Sequence, residues 1–224
     1  MTVAACILAA SPEFALQDVD GSANVRRLAD LAWAGGALPV LVVAPDPDGA
    51  VAAALAGSAA VVGAPGPIAD GPVAQIARAI DLARAEVDGT DAALIWPARF
   101  GWVDAETVTS LIETHGIHRA DVLRPAYHGV VGWPILLPVG LLDVFRALPA
   151  ELMEDELATL LAERAPVRIL DLGDPGTVIG LDTPRESLPP FEGPAEPPAA
   201  HQHEWGSPAA AGTDESPAPP RTVG

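Results

Sequence analysis

The segment "ILAASPEFALQDVDG" (Ile7 to Gly21) follows an apolar run, at the point where an α/β protein that binds phosphate usually carries a glycine-rich turn. Such a turn needs backbone with φ > 0 and close approach to the anion, and glycine supplies both at little steric cost. Here Ala9, Ala10, Ser11 and Pro12 occupy the turn, no glycine comes before Gly21, and Glu13, Asp18 and Asp20 add negative charge. Ser11 lacks the flanking glycines of a nucleophile elbow. Cys6, the single cysteine, sits inside the apolar run with no histidine base in view, which makes it a small buried hydrophobe rather than a nucleophile. His115, His118 and His128 show no ligand spacing with nearby cysteines or carboxylates. "HQHEW" (His201 to Trp205) reads as incidental histidines in a solvated tail, with weak metal binding, or a docking motif anchored by Trp205, as the alternatives.

Charge narrows the partners. The chain has 224 residues and a formal net charge of -18. A nucleic-acid backbone or an anionic membrane surface as main partner requires basic clusters, and there are none. All 12 basic residues are arginine, so no lysine ammonium is available for a phosphate. No apolar run reaches membrane-spanning length, the first residues lack the basic region of a secretory signal, and one cysteine forms no disulfide framework; the expected setting is the reducing cytoplasm.

Candidate residues must be positioned by elements. Thr2 to Ala10, Val40 to Ala44, Ala59 to Val62 and Ala92 to Trp96 are short apolar runs of the kind buried on both faces of a sheet. Helix-period stretches separate them: Ala23 to Ala34, Gly49 to Ala56, Pro72 to Val87 and Asp104 to His115, the last with Asp104 as N-cap and Gly116 as the expected stop. The alternation predicts an α/β fold with a mainly parallel sheet. Ala120 to Pro138 reads as two extended segments around the turn "HGVVG", with helices over Gly140 to Leu148 and Glu154 to Arg164 and strands at Val167 to Leu170 and Val178 to Leu181: a small antiparallel appendage. The expected folded domain is 1–188. Residues 189–224, rich in Pro, Ala and Gly and nearly free of branched aliphatics, are expected to be a disordered acidic tail.

The order of these pieces resembles the MobA-like nucleotidyltransferases, which include molybdenum-cofactor guanylyl- and cytidylyltransferases. "ILAASPEFALQDVDG" occupies the slot of that family's L-A-A/G-G-x-S-x-R-M-G-x-x-K loop, and "NVRRLADLAWAGGALPVLVVA" echoes its next helix and strand. "DGPVAQIARAI" matches the glycine and helix that lie along the nucleotide, "IWPARFGWVDAETV" the strand whose turn carries the metal aspartate, "GWPILLP" the G-H-P-x-L segment, and "GLDTPRE" the D-I-D/N-T-P-E-D element. The resemblance implies a three-layer, Rossmann-like (GT-A-type) fold and magnesium-dependent transfer of a nucleotidyl group. It places Ala9, Ala10, Ser11, Gly71 and Gln75 along a nucleotide cleft, with Trp102 and Trp133 on residues lining its pocket.

It also places Arg99 where the metal aspartate belongs, Gly180 for the first aspartate of the last element, and Trp133 for a histidine. Asp182 is retained, the weak candidate metal ligand. Transfer chemistry rests on a dication bridging phosphates, and magnesium wants carboxylate oxygens. The expectation is therefore a pseudoenzyme with no cofactor, binding a protein partner through tail or cleft, or a nucleotide or phosphorylated small molecule. The alternatives are an atypical active transferase using magnesium, with Asp182, Asp18 or Asp20 as ligands and Arg26 or Arg99 on phosphate, and a structural subunit of a complex. Arg99 and Asp182 are the candidates for a working role. Arg99 could instead pair with Asp182 or Asp104, and Asp182 could belong to a capping turn. Trp96, Trp102 and Trp133 serve either packing or a reshaped aromatic pocket.

Overall fold

The computed structural model describes residues 1–150, 152 and 154–193. The histidine tract, Trp205 and all but the first few residues of the expected tail lie outside the described residues.

Chain order begins with β1 (Val3–Leu8), α1 (Pro12–Leu16), β2 (Asp18–Val19), β3 (Ser22–Ala23), α2 (Asn24–Ala34), β4 (Val40–Val43), α3 (Ala50–Ala54) and β5 (Ala60–Gly63). It continues through α4 (Gly71–Glu86), β6 (Ala92–Pro97), α5 (Ala105–Ile117), β7 (Val122–Tyr127), β8 (Val130–Val131), β9 (Ile135–Pro138), α6 (Leu142–Arg146), α7 (Glu154–Ala162) and β10 (Val167–Asp171). One sheet runs β10-β7-β9-β6-β1-β4-β5, with β8 on the flank of β7. β5, β4, β1 and β6 are mutually parallel, β9 is antiparallel to both β6 and β7, and β10 is parallel to β7. The antiparallel part thus continues the parallel half as a single sheet.

Burial explains the order. β6 is buried along its whole length and β1 nearly so, as expected for central strands covered on both faces. α2 packs against β1, β4 and α5, while α4 packs against β1, β4 and α6, so helices line the sheet in two groups. The core holds Ile7, Leu28, Leu41, Ile80, Leu94, Leu111, Leu123 and Phe145, each worth about 1.5–3 kcal/mol when fully buried.

Three local expectations are corrected. α5 does not stop at Gly116 but runs to Ile117, with His118 as C-cap; the glycine costs a helix only about 1 kcal/mol, and its face lies against Met1. Val178 to Leu181 is no strand. A 3-10 turn over Pro175–Thr177 ends just before it, and the N–H groups of Val178 and Ile179 both go to the Pro175 carbonyl instead of to a ladder. The expected helix from Gly140 to Leu148 divides into a 3-10 turn, Val139–Leu141, and the short α6.

Two tight turns carry left-handed backbone. Asp20 and Gly21 have φ of 56° and 83° and join β2 to β3, the Asp-Gly pairing that suits a type I′ hairpin. His128 and Gly129, at 47° and 77°, do the same between β7 and β8. The first of these accounts for the late glycine: Gly21 serves a hairpin, not a phosphate.

Candidate functional site

The carboxyl ends of β1 and β6 are neighbours, with Leu8 opposite Pro97, so the turns that follow them, around Ser11 and Arg99, emerge together. Each is built from the chain's own contacts. After β1, Ala9 is buried and Ser11 is the extended N-cap of α1, with Pro12 at its start and no side-chain cap bond. The slot that would hold a flexible phosphate loop contains a one-turn helix carrying Glu13 and packed against α2 and α3.

Asn24 ties the two turns together. Its Nδ2 donates to the Phe14 carbonyl at 2.9 Å and to the Ala98 carbonyl at 2.7 Å, and its backbone N–H donates to the Gln17 carbonyl at 2.9 Å. Asn24 is fully buried, and its Oδ1 lies where a Cβ on residue 101 would sit, 2.5 Å away, so that position needs glycine. Arg27 donates to the Gly101 carbonyl and lies over the Trp102 ring, 5.8 Å from its centre; burial lowers its pKa, with Arg185 adding to the effect. Trp102 Nε1 donates to the carbonyls of Gly180 (3.1 Å) and Thr183 (3.0 Å), and the Leu181 N–H donates to the Arg99 carbonyl at 2.8 Å. The turn after β6 is therefore locked on both sides, to α2 and to 180–183.

Against it lies a pocket of about 400 Å³ lined by Arg99, Arg124, Gly132, Trp133, Gly180 and Asp182, among others. The Arg99 guanidinium rests on the Phe100 ring, 4.4 Å from its centre, and Arg124 Nη2 donates to the Gly132 carbonyl at 3.2 Å. Trp133 is almost fully buried and stacks on Phe100, with ring centres 6.2 Å apart, so it is a floor and not an open stacking platform. Gly132 is forced by the Thr177 carbonyl, which leaves no room for a Cβ. Behind the pocket, buried Asp174 accepts from Gly176 N–H (2.8 Å), Asp104 N–H (3.0 Å) and Thr107 Oγ1 (2.7 Å); burial pushes its pKa up against these three bonds.

Arg99 and Asp182 meet in this pocket, together with Trp133. Ala9, Ala10, Ser11, Gly71, Gln75 and Trp102 do not line it. Gly71 backs onto the Ala150 carbonyl, which occupies the space where its Cβ would lie. Gln75 accepts from Gly66 N–H at 2.8 Å and donates to the Pro67 carbonyl at 3.0 Å, so its amide is spent on the loop before α4. Asp104 caps α5 through the Glu106 N–H at 2.9 Å. Asp182 is followed by a 3-10 turn, Arg185–Ser187, whose N-cap is Pro184 and which has no side-chain cap, so the capping role expected of "DTP" is not made. Trp96 is wholly buried, its Nε1 donating to the Phe100 carbonyl. Cys6 is sealed in the core and its thiol is pushed up to about 12 by burial. Asn24, Arg124 and Asp174 were not singled out from sequence. "DPG" before a helix-breaking stretch was the legible trace of Asp174; Asn24 and Arg124 left none.

Among the described residues, no three His, Cys, Asp or Glu side chains converge where a metal ion could sit. Asp182 is the acid of the pocket lining.

A family model, the MobA-like NTP transferase domain, matches residues 15–167. The chain belongs to this family. Solved structures with the same fold include the manganese complex of Rv0371c from Mycobacterium tuberculosis H37Rv, at 20% identity and TM-score 0.59, covering 76% of this chain and 88% of that one. Another is 4-diphosphocytidyl-2C-methyl-D-erythritol synthase from Anaerococcus prevotii DSM 20548, at 11% identity and TM-score 0.62, covering 83% and 92%. No curated protein matches the chain in sequence. At these identities the solved structures establish the nucleotidyltransferase-like fold. As a member of the MobA-like family, the chain keeps the frame of a nucleotidyltransferase, and none of its helices among the described residues is long and apolar enough to cross a membrane.

Proposed function

We propose that this chain works by binding a small anionic, phosphorylated molecule in the Arg99 pocket without a divalent cation, having given up nucleotidyl transfer. The observation that carries the reading is Arg99 itself, a permanent cation lining the pocket in the turn after β6, at the position for which the sequence resemblance implies a metal aspartate. A dication held about 4 Å from a guanidinium meets a repulsion of roughly 8 kcal/mol at an effective dielectric of about 20. Asp182 remains to oppose it, while Gly180 offers no carboxylate. The residues present do not fit magnesium or manganese, and no transfer step is derived through either.

The other half of the cleft supports the same reading. The turn after β1 is a short helix with an acid in its first turn, Gly71 is backed by Ala150, and the Gln75 amide is engaged locally. A triphosphate has neither backbone cradle nor ammonium there. Two guanidinium groups, by contrast, suit a phosphate through forked, charge-assisted hydrogen bonds.

The rival reading is an active transferase that recruits magnesium through Asp182; the family's fold and the manganese in a solved neighbour favour it. Calorimetric titration separates the two, using ATP, GTP and CTP with and without magnesium, and glycerol 3-phosphate in EDTA. Saturable binding of glycerol 3-phosphate in EDTA, weakened in Arg99→Gln, is the expected result. Tight nucleotide binding that requires magnesium overturns the proposal.

A further inference from the structure

At the far end of the sheet, one strand length from Arg99, lies a second pocket of about 350 Å³. His115, Asp91, Arg119, Ala120, Pro138 and Leu141 line it. His115, in the last turn of α5, is 1% exposed, and neither Nδ1 nor Nε2 has a hydrogen-bond partner. Buried polar side chains nearly always have one, so an imidazole with two orphan nitrogens beside a cavity asks for a partner from that cavity.

The charges around it favour an anion. Asp91 is engaged by the chain itself: its Oδ2 accepts from Thr2 N–H at 2.8 Å and lies 3.7 Å from the N-terminal ammonium. Arg119, exposed at the mouth, enters no ion pair among the described residues. One guanidinium and one N–H-bearing imidazole are thus left to recognise an oxyanion, while the Asp91 charge across the mouth disfavours a second negative charge on the ligand. Ala120, Pro138 and Leu141 supply an apolar wall suited to a short hydrocarbon body.

We propose that this pocket binds a small organic monocarboxylate, its carboxylate held between Arg119 and His115 and its apolar body against Pro138 and Leu141. The site is separate from the Arg99 pocket and shares no lining residue with it.

Imidazole NMR of the full chain tests this, with propionate and butyrate as probes and phosphate as the control at matched ionic strength. His115→Gln assigns the resonance. Expected are saturable shifts confined to His115, tighter for butyrate than for propionate, and a loss of affinity of about tenfold or more in Arg119→Gln, an exposed position whose change spares the fold. No saturable response to either acid overturns the proposal, as does an equal response in Arg119→Gln. An equal response to phosphate overturns it too, since it marks general anion screening.

Discussion

Asn24 does for this chain what a glycine-rich turn leaves to a bound phosphate: it decides where the loops after β1 and β6 lie. Its amide satisfies two carbonyls from segments 74 and 10 residues away, those of Ala98 and Phe14. Asn24→Ala removes both bonds and leaves two carbonyls unsatisfied, for a loss of about 3 kcal/mol, read as a lowered denaturant midpoint at unchanged slope. His115 makes the opposite kind of statement. Burial lowers its pKa below the ordinary 6.5, with the Asp91 charge opposing and Arg119 reinforcing the shift. The unfolded chain therefore takes up a proton near pH 6.5 that the native state refuses, so stability is full above that pH and falls as pH drops below it. In His115→Leu this part of the pH slope disappears, and stability at pH 7.5 holds or rises because no orphan polar atoms remain; denaturation at a series of pH values checks both.

At the level of elements, α5 shows how a helix is fixed at its two ends by different means. Its first turn is held by Asp104, which caps it, and by Asp174, which reaches across from the segment after β10 to the Asp104 N–H and the Thr107 hydroxyl. Asp104→Ala costs about 1 kcal/mol, the usual worth of an N-cap, in chemical denaturation. The Asp104 cap was legible because its cause is local: an acid two residues before the N–H it accepts. Gly116 does not stop α5, because glycine ends a helix only when the chain beyond it has somewhere else to go. The strand expected at Val178 to Leu181 failed for a related reason. Val178 and Ile179 line the Arg99 pocket instead of joining the sheet, and the Pro175 carbonyl takes up their two N–H groups. The hairpin at Asp20 and Gly21 carries a local Asp-Gly signature, legible in the sequence because both left-handed residues belong to one turn.

For the whole molecule, the distribution of charge matters more than its total. The net charge is -18, yet both described pockets argued to bind are lined by arginine. If the Arg99 pocket has no use for a dication, then EDTA leaves the melting temperature unchanged and millimolar magnesium or manganese adds no stabilisation, because a ligand raises stability only through binding the native state. A scanning-fluorimetry series with CTP present and absent checks this; a manganese-dependent rise shows instead that the native chain takes up a dication.

The sequence by itself determined the parallel half and the family, since buried strands, helix periods and residue identities are local properties that survive without coordinates. Only the tertiary structure decided that Gly71 faces Ala150, that Trp102 is spent on two carbonyls, that Asn24 welds the loops, and that His115 stands unpaired beside a cavity. These depend on which groups the fold brings within hydrogen-bonding distance across 70 or more residues of chain, and no spacing along the sequence encodes that distance.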